Sequence, residues 1–232
     1  VNNYVQEMLK IVDKFDGRHN RHELLSDCFE CFAICISNIV DKPQYTEREK
    51  RYLEIVSKYS KTDISLMTQL LAKVWSVLTA MSEDGFDDYL GQLYMMSDTS
   101  NKKAGQYFTP YNVSKLSAEL TINPSKLDKE VITMYEPACG SGGMILAFAD
   151  VLQNTHHINY TGRTFVYAGD IDSRCVHMCY IQLSLAGIPA IVEQRNALTM
   201  ELIGGRWNTP AYLFQYCRFQ KILEDVRRQN HE

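Results

Sequence analysis

The chain has 232 residues, 45% hydrophobic and 22% charged, enough for one domain of about 150 residues plus an extension. No apolar run approaches the ~18 residues of a membrane span, and no secretory segment opens the chain, which starts at Val1 rather than Met and so reads as trimmed. A net charge of −4, a pI near 5.9 and dispersed basic residues (small groups only at Lys102–Lys103 and Arg227–Arg228) exclude a protein that grips DNA by charge alone.

Residues 1–100 read as helical. YVQEMLKIVDKF sets Tyr4, Met8, Ile11, Val12 and Phe15 on one face at helical spacing. LLSDCFECFAICISNIV is a second helix, carrying Cys28, Cys31 and Cys35. The spacing resembles a ligand set, but the stretch is apolar and offers no fourth ligand, so these thiols read as small buried hydrophobes and no metal site is expected. Seven cysteines, an odd number, point to free thiols in a reducing cytoplasm. TEREKRYLEIVSKY opens with Thr46 and places Glu49 three residues later, a capping-box arrangement. SLMTQLLAKVWSVLTAM is a further long apolar helix.

SDTSNKKAG, near residue 101, is a polar break that reads as a linker or loop. After it, VITMY, GGMILAFADVLQ, TFVYAG, SRCVHMCYIQLSLAG and AIVEQ alternate strand-like with helix-like runs. That rhythm predicts parallel strands joined by crossover helices in a doubly wound α/β sheet. Only three strands are clear before the chain turns irregular at Asn196.

Ligands of open α/β sheets sit beyond the carboxyl ends of the strands. There the first strand meets EPACGSGG, where Gly140, Gly142 and Gly143 admit close approach and positive φ, and where Glu136 suits a positively charged partner. The spacing is not the GxGxxG of dinucleotide folds. The second strand ends in GDID. Asp170 is placed to accept hydrogen bonds from a ribose diol, whereas Asp172 fits a helix N-cap better. The third strand ends at RNALT, where Asn196 could meet an adenine edge. Upstream, GQYFTP puts Tyr107 and Phe108 where they could line a pocket floor.

GQYFTP, YEPACGSGGM, GDID and RNALT, in this order, resemble the adenine-N6 DNA methyltransferases, above all the modification subunits of type I restriction systems. The likeness covers roughly residues 88–200 and includes DYLGQLY. It implies a partial S-adenosylmethionine-methyltransferase (Rossmann-like) parallel sheet at residues 101–232, cut short after the third strand, behind the helical region. It implies S-adenosylmethionine as cofactor. Thr109 and Pro110 would lie by its methionine end with Tyr107 or Phe108 nearby. Glu136 would face the ammonium or sulfonium, and Ala138, Gly140 and Gly142 would line the loop. Asp170 would take the ribose hydroxyls, and Ile171 would pack on the adenine. Asn196 stands where the family usually has Asp. It keeps an acceptor but lacks the charge, which predicts weaker binding. DNA, held with help from a partner subunit, is the implied substrate. The helical regions offer surfaces for a protein partner or a second copy, and no membrane association is expected.

The resemblance also implies Asn/Asp-Pro-Pro-Tyr/Phe at the end of a fourth strand, gripping a flipped adenine. These 232 residues contain no such tetrapeptide. The nearest candidate is Asn208-Thr209-Pro210-Ala211-Tyr212, with Asn208, Pro210 and Tyr212 as its catalytic residues, although MELIGGRW before it does not read as a buried parallel strand. A turn leading into a terminal helix is the competing reading. Three functions stay open. One is an adenine-N6 DNA methyltransferase in a restriction–modification system. Another is a cofactor-binding relative that has lost catalysis and acts as a regulatory, accessory or anti-restriction protein. The third is a methyltransferase with another acceptor.

Overall fold

A computed structural model describes residues 3–15, 17–97 and 108–216. The helical region comprises α1 (Asn3–Asp13), α2 (Arg21–Val40), a 3-10 turn (Lys42–Gln44), α3 (Tyr45–Val56), α4 (Lys61–Thr79), the short α5 (Met81–Asp84) and α6 (Tyr89–Ser97). On α1 the expected face is buried at Met8 and Val12 and continues to Phe15, with Val5 joining it; Tyr4 and Ile11 pack at its margin. Cys28 and Cys31 lie inside α2 among Phe29, Phe32 and Ile34. Burial first, with the neighbouring Cys35, Asp27 and Glu30, pushes the Cys31 thiol up to about 12, so it behaves as an apolar group.

The expected capping box at Thr46 and Glu49 does not form. Pro43 drives a 3-10 turn that leads straight into α3, which is already helical at Tyr45, and Glu49 instead accepts from Asn38 Nδ2 at 2.8 Å. A capping box occurs one helix later. There the Ser60 hydroxyl accepts from Asp63 N at 3.1 Å and Asp63 accepts from Ser60 N at 3.3 Å.

The α/β part runs α7 (Tyr111–Thr121), β1 (Ile132–Glu136), α8 (Gly143–Asp150), the single-turn α9 (Tyr160–Arg163), β2 (Thr164–Asp170), α10 (Ser173–Leu185), β3 (Ala190–Arg195) and β4 (Leu202–Asn208). The sheet order is β1-β2-β3-β4, with β1, β2 and β3 mutually parallel. The strand β4 lies where the sequence read as irregular and not as a buried parallel strand. It is antiparallel to β3, pairing Asn208 with Ile191 and Arg206 with Glu193. The physical reason is length: a parallel return needs a crossover of at least about ten residues. Here a tight turn closes the hairpin, with Met200 N donating to Asn196 O and Asn196 N to Glu201 O. Residues 202–206 are exposed, which explains why the segment lacks the apolar pattern of a buried strand.

One face of the sheet, carrying Val166, Ala168, Ala190 and Val192, is fully covered. On it α10 lies between the strands and α2, and the core runs without a break from the helical region into the sheet. Two arginines fasten that junction. The Arg48 guanidinium stacks 4.0 Å from the Trp207 ring and donates to Arg206 O at 2.7 Å, while Arg174 donates to Tyr94 Oη at 2.8 Å. The opposite face carries Tyr135, Phe165, Tyr167 and Ile191. Residues 210–216, about two helical turns, cover part of it through Tyr212, which stacks on Phe165 at 5.6 Å. No helix among the described residues is long and apolar enough to cross a membrane.

Candidate active site

The carboxyl ends of β1 and β2 open onto a cavity of about 310 Å³. The loop from Pro137 to Gly142 forms its floor. Cys139 N donates to Gly169 O at 2.8 Å, which ties the loop to β2. Gly140 (φ +53°) and Gly142 (φ +100°) adopt left-handed backbone that other residues enter only under strain, and Gly142 precedes the first residue of α8. Space is a second constraint, since a Cβ on Gly140 would lie 3.1 Å from the Phe108 ring.

Asp170 organises this floor. One of its oxygens accepts from Gly140 N at 2.9 Å and the other from Asp172 N at 2.9 Å. A carboxylate has about four acceptor positions, so capacity for a diol remains. Asp172 itself caps α10 by accepting from Arg174 N at 2.9 Å. Glu136 accepts from Ala138 N at 3.3 Å. Burial, and after the Ala138 hydrogen bond that opposes it, the neighbouring Asp170, raise its carboxyl above the usual range.

Of the residues expected at a cofactor site, Phe108, Thr109, Glu136, Ala138, Gly140 and Asp170 line this one cavity. Gly142 stands behind the loop, its Cα facing Cys179. Pro110 caps α7 and is exposed. Ile171 is 61% exposed just beyond Asp170, where its carbonyl accepts from Gln194 Nε2 at 3.1 Å. The Oδ1 of Asn196 is occupied by Leu198 N at 2.9 Å and Thr199 N at 3.2 Å, so the acceptor meant for an adenine amino group already serves the turn. Tyr107 lies outside the described residues.

Asn208, Pro210 and Tyr212 are not brought to the cavity. Asn208 pairs with Ile191 at the amino end of β3, and the carboxyl end of that strand, at Arg195, is about 13 Å away along the strand. Tyr212 is buried against Ile191 and Phe165. Thr209 fixes the turn: its hydroxyl donates to Ile188 O at 2.9 Å and accepts from Ala190 N at 2.9 Å. The competing reading of this segment, a turn into a helix, matches the geometry, with the difference that a strand precedes the turn.

The cavity also takes side chains that the sequence did not single out: Asp88, Ser114, Cys139, Ser141 and Met144. Cys139, Ser141 and Met144 lie within the quoted YEPACGSGGM. Asp88 opens DYLGQLY, the stretch noted for its likeness, and that was its signal. Ser114 had none. Asp88, on the loop before α6, is buried. It accepts from Gly91 N at 3.0 Å and from Gln182 Nε2 at 2.8 Å, and it bonds the Ser141 hydroxyl. Helical region, glycine loop and α10 thus meet on one carboxylate. Burial, with Asp87 nearby, raises its pKa against the pull of those hydrogen bonds. Among the described residues three carboxylates line the cavity, and none of those lining it is Lys, Arg or His. Such a site favours a cationic ligand.

Over 136 residues the chain is 26% identical to the type I restriction enzyme MpnII methylase subunit of Mycoplasma pneumoniae, covering 54% of this chain but 23% of that protein. The chain therefore spans about a quarter of the length of the curated relative it matches. A crystal structure from Listeria monocytogenes, described as a class I S-adenosylmethionine-dependent methyltransferase, aligns with 78% of this chain and 56% of its own at 14% identity and a TM-score of 0.42. The profile of the N-6 DNA methylase family matches residues 82–204, more than half of the chain, from within α5 to the middle of β4. The chain belongs to the N-6 DNA methylase family.

Proposed function

We propose that this chain binds S-adenosylmethionine in the cavity above β1 and β2 and serves as the cofactor-holding part of an adenine-N6 DNA methylase in a restriction–modification system. The observation that carries this reading is the acidic cavity itself, floored by a left-handed glycine loop that Asp170 holds through Gly140 N. The residues fit the group. Asp170 keeps acceptor capacity for ribose hydroxyls, and Glu136 adds negative charge toward a cationic centre. Ala138 and Gly140 offer close backbone, and Phe108 with Thr109 closes the side opposite the loop. Ile171, exposed beside Asp170, is available to an adenine ring, and Pro110, Gly142 and Tyr107 are assigned to the cofactor by family likeness alone.

When bound, S-adenosylmethionine would supply an electrophilic methyl group on its sulfonium. This chain's part is to fix that centre, since transfer to an amino nitrogen depends on positioning to within about an ångström. The acceptor half is a different matter. In a doubly wound sheet the first strand is central and the fourth strand pairs with its outer edge. Among the described residues β1 has no neighbour on that edge. Asn208, Pro210 and Tyr212 sit at the other end of the sheet. A base grip would have to be built beside β1, and DNA held with help from a partner subunit.

That same observation favours a second reading, a cofactor-binding relative that works through a partner without methylating. Calorimetry with S-adenosylmethionine, together with transfer of labelled methyl groups to unmethylated DNA, separates the cases. We expect binding, and no transfer by this chain alone. Absence of binding at millimolar cofactor would overturn the proposal. Transfer that Tyr212→Ala abolishes in a folded protein would reinstate Tyr212 as a catalytic residue.

A further inference from the structure

Two polar groups in the cavity wall are left over by the family likeness, and both are buried. Asp88 is 4% exposed and Ser114 is 1% exposed. The Asp88 carboxylate takes three hydrogen bonds, from Gly91 N, Gln182 Nε2 and the Ser141 hydroxyl, all of them neutral donors. Of about four acceptor positions one remains, on Oδ2. Among the described residues no cation pairs with it. A buried carboxylate without a cation is disfavoured as an anion, and an arriving cation relieves that penalty. Ser114, in the first turn of α7, lines the same cavity, and among the described residues its buried hydroxyl oxygen has no hydrogen-bond partner. It is a second, independent sign of a missing ligand group.

The chain is shaped to bring the carboxylate there. A Cβ on Gly91 would lie 2.1 Å from Asp88 Oδ2 and 2.5 Å from Ser141 Oγ, and one on Gly143 would lie 3.1 Å from Asp88 Oδ2. Asp88 holds the glycine loop at Ser141 while Asp170 holds it at Gly140, so the two acids flank the loop. If Asp170 meets the ribose, the opposite flank faces the amino-acid end of the same ligand.

We propose that Asp88 and Ser114 form a subsite for the α-amino-acid end of the cofactor, the Asp88 carboxylate receiving its ammonium and the Ser114 hydroxyl donating to its carboxylate. The inference rests on the S-adenosylmethionine reading and adds the residues that select for the amino-acid end. Three probes test it by calorimetry on the purified chain: S-adenosylmethionine, S-adenosylhomocysteine, and 5′-methylthioadenosine, which lacks the amino-acid end.

In Asp88→Asn the first two weaken by at least about tenfold, the loss of one charge-assisted hydrogen bond, while 5′-methylthioadenosine stays within about twofold of wild type. Ser114→Ala, a smaller change that leaves the glycine loop tethered, follows the same pattern at about fivefold. Asp170→Ala weakens all three. Equal losses for all three probes in both Asp88→Asn and Ser114→Ala, or no loss in either, would overturn the subsite while leaving the cofactor reading intact. A wild-type chain that binds none of the probes would overturn both.

Discussion

At the carboxyl ends of β1 and β2, Glu136 and Asp170 accept backbone N–H groups and face a cavity. At the amino end of β3, Thr209 and Tyr212 are packed against Ile188, Ala190, Ile191 and Phe165, and the Thr209 hydroxyl is spent on the backbone. Both ends carry residue types that could serve chemistry. What separates them is whether unspent polar atoms face the cavity: Asn208 Oδ1, beside Thr209, also lacks a partner among the described residues but does not line it. A residue whose acceptors and donors are all satisfied within the fold stabilises it, and one with capacity facing open space can hold a ligand. An Asn, a Pro and a Tyr in sequence therefore mean little until the strand direction is known.

The largest expected effect is on the closed end. Tyr212→Ala removes a buried ring that stacks on Phe165, at a cost of roughly 2–4 kcal/mol and a fall in Tm of about 10 °C. Affinity for S-adenosylmethionine should not change, because the ring is separated from the cavity by the length of the strand. A folded Tyr212→Ala protein with altered cofactor affinity would break the contrast between the two ends.

Acid should act on the covered face in the same direction. His177, on α10, meets Trp207 edge-on at 5.1 Å, and its Nδ1 has no partner among the described residues. Burial first, then the nearby Arg48 and Arg51 against the opposing pull of Glu30, lower its pKa to about 4. The folded protein thus binds the proton less readily than the unfolded chain, whose histidine has its ordinary value of about 6.5. The associated stability is complete above pH ~6.5. It is lost as pH falls from there toward 4, by about 3 kcal/mol in total. Denaturant titrations at pH 7.5 and pH ~4.5 measure this loss, and His177→Leu should flatten it. An unchanged slope in that variant would move the acid sensitivity to another group.

Asp170→Ala reverses the pattern. The cavity loses the acceptor proposed for the ribose hydroxyls and the tether on Gly140 N, so cofactor affinity should fall about 30-fold, near 2 kcal/mol. The Tm should move little, since Asp170 is only partly buried. Calorimetry beside thermal unfolding reads both quantities. A collapse of Tm with proportionate loss of binding would make Asp170 a structural residue like Thr209.

These contrasts mark what the sequence could convey. The strands β1, β2 and β3, the helix α10 and the loop at Gly140 and Gly142 were legible because period-two apolar runs and glycine turns are local signals. The strand β4 was not, since an exposed antiparallel edge carries no apolar alternation and Gly204 and Gly205 argue against a strand. The capping box was misplaced because Thr46 fits the local pattern, whereas Pro43 starts the helix two residues too early for it. The roles of Asp88, despite its place in DYLGQLY, and of Ser114 were not legible for another reason. Their significance arises from unspent hydrogen-bonding capacity, which exists only after Gly91, Ser141 and Gln182 have converged from distant parts of the chain.

The smallest effect bears on Asn196, the one predicted site residue whose acceptor is already spent. Its Oδ1 accepts from Leu198 N and Thr199 N at the end of β3. The amide nitrogen on the same side chain can only donate, so it offers nothing to an adenine amino group. Asn196→Asp would keep one oxygen on the turn and put a second, charged acceptor in place of that nitrogen. Cofactor affinity should then rise about threefold, roughly 0.7 kcal/mol, the modest gain of one partly solvated hydrogen bond. Stability should stay within about 0.5 kcal/mol, because the turn keeps its acceptor. Calorimetry with S-adenosylmethionine and with 5′-methylthioadenosine should show the same gain, since the adenine is common to both. A gain confined to S-adenosylmethionine would mean that the added charge acts on the cationic end from a distance, and that Asn196 does not mark the adenine end of the cavity.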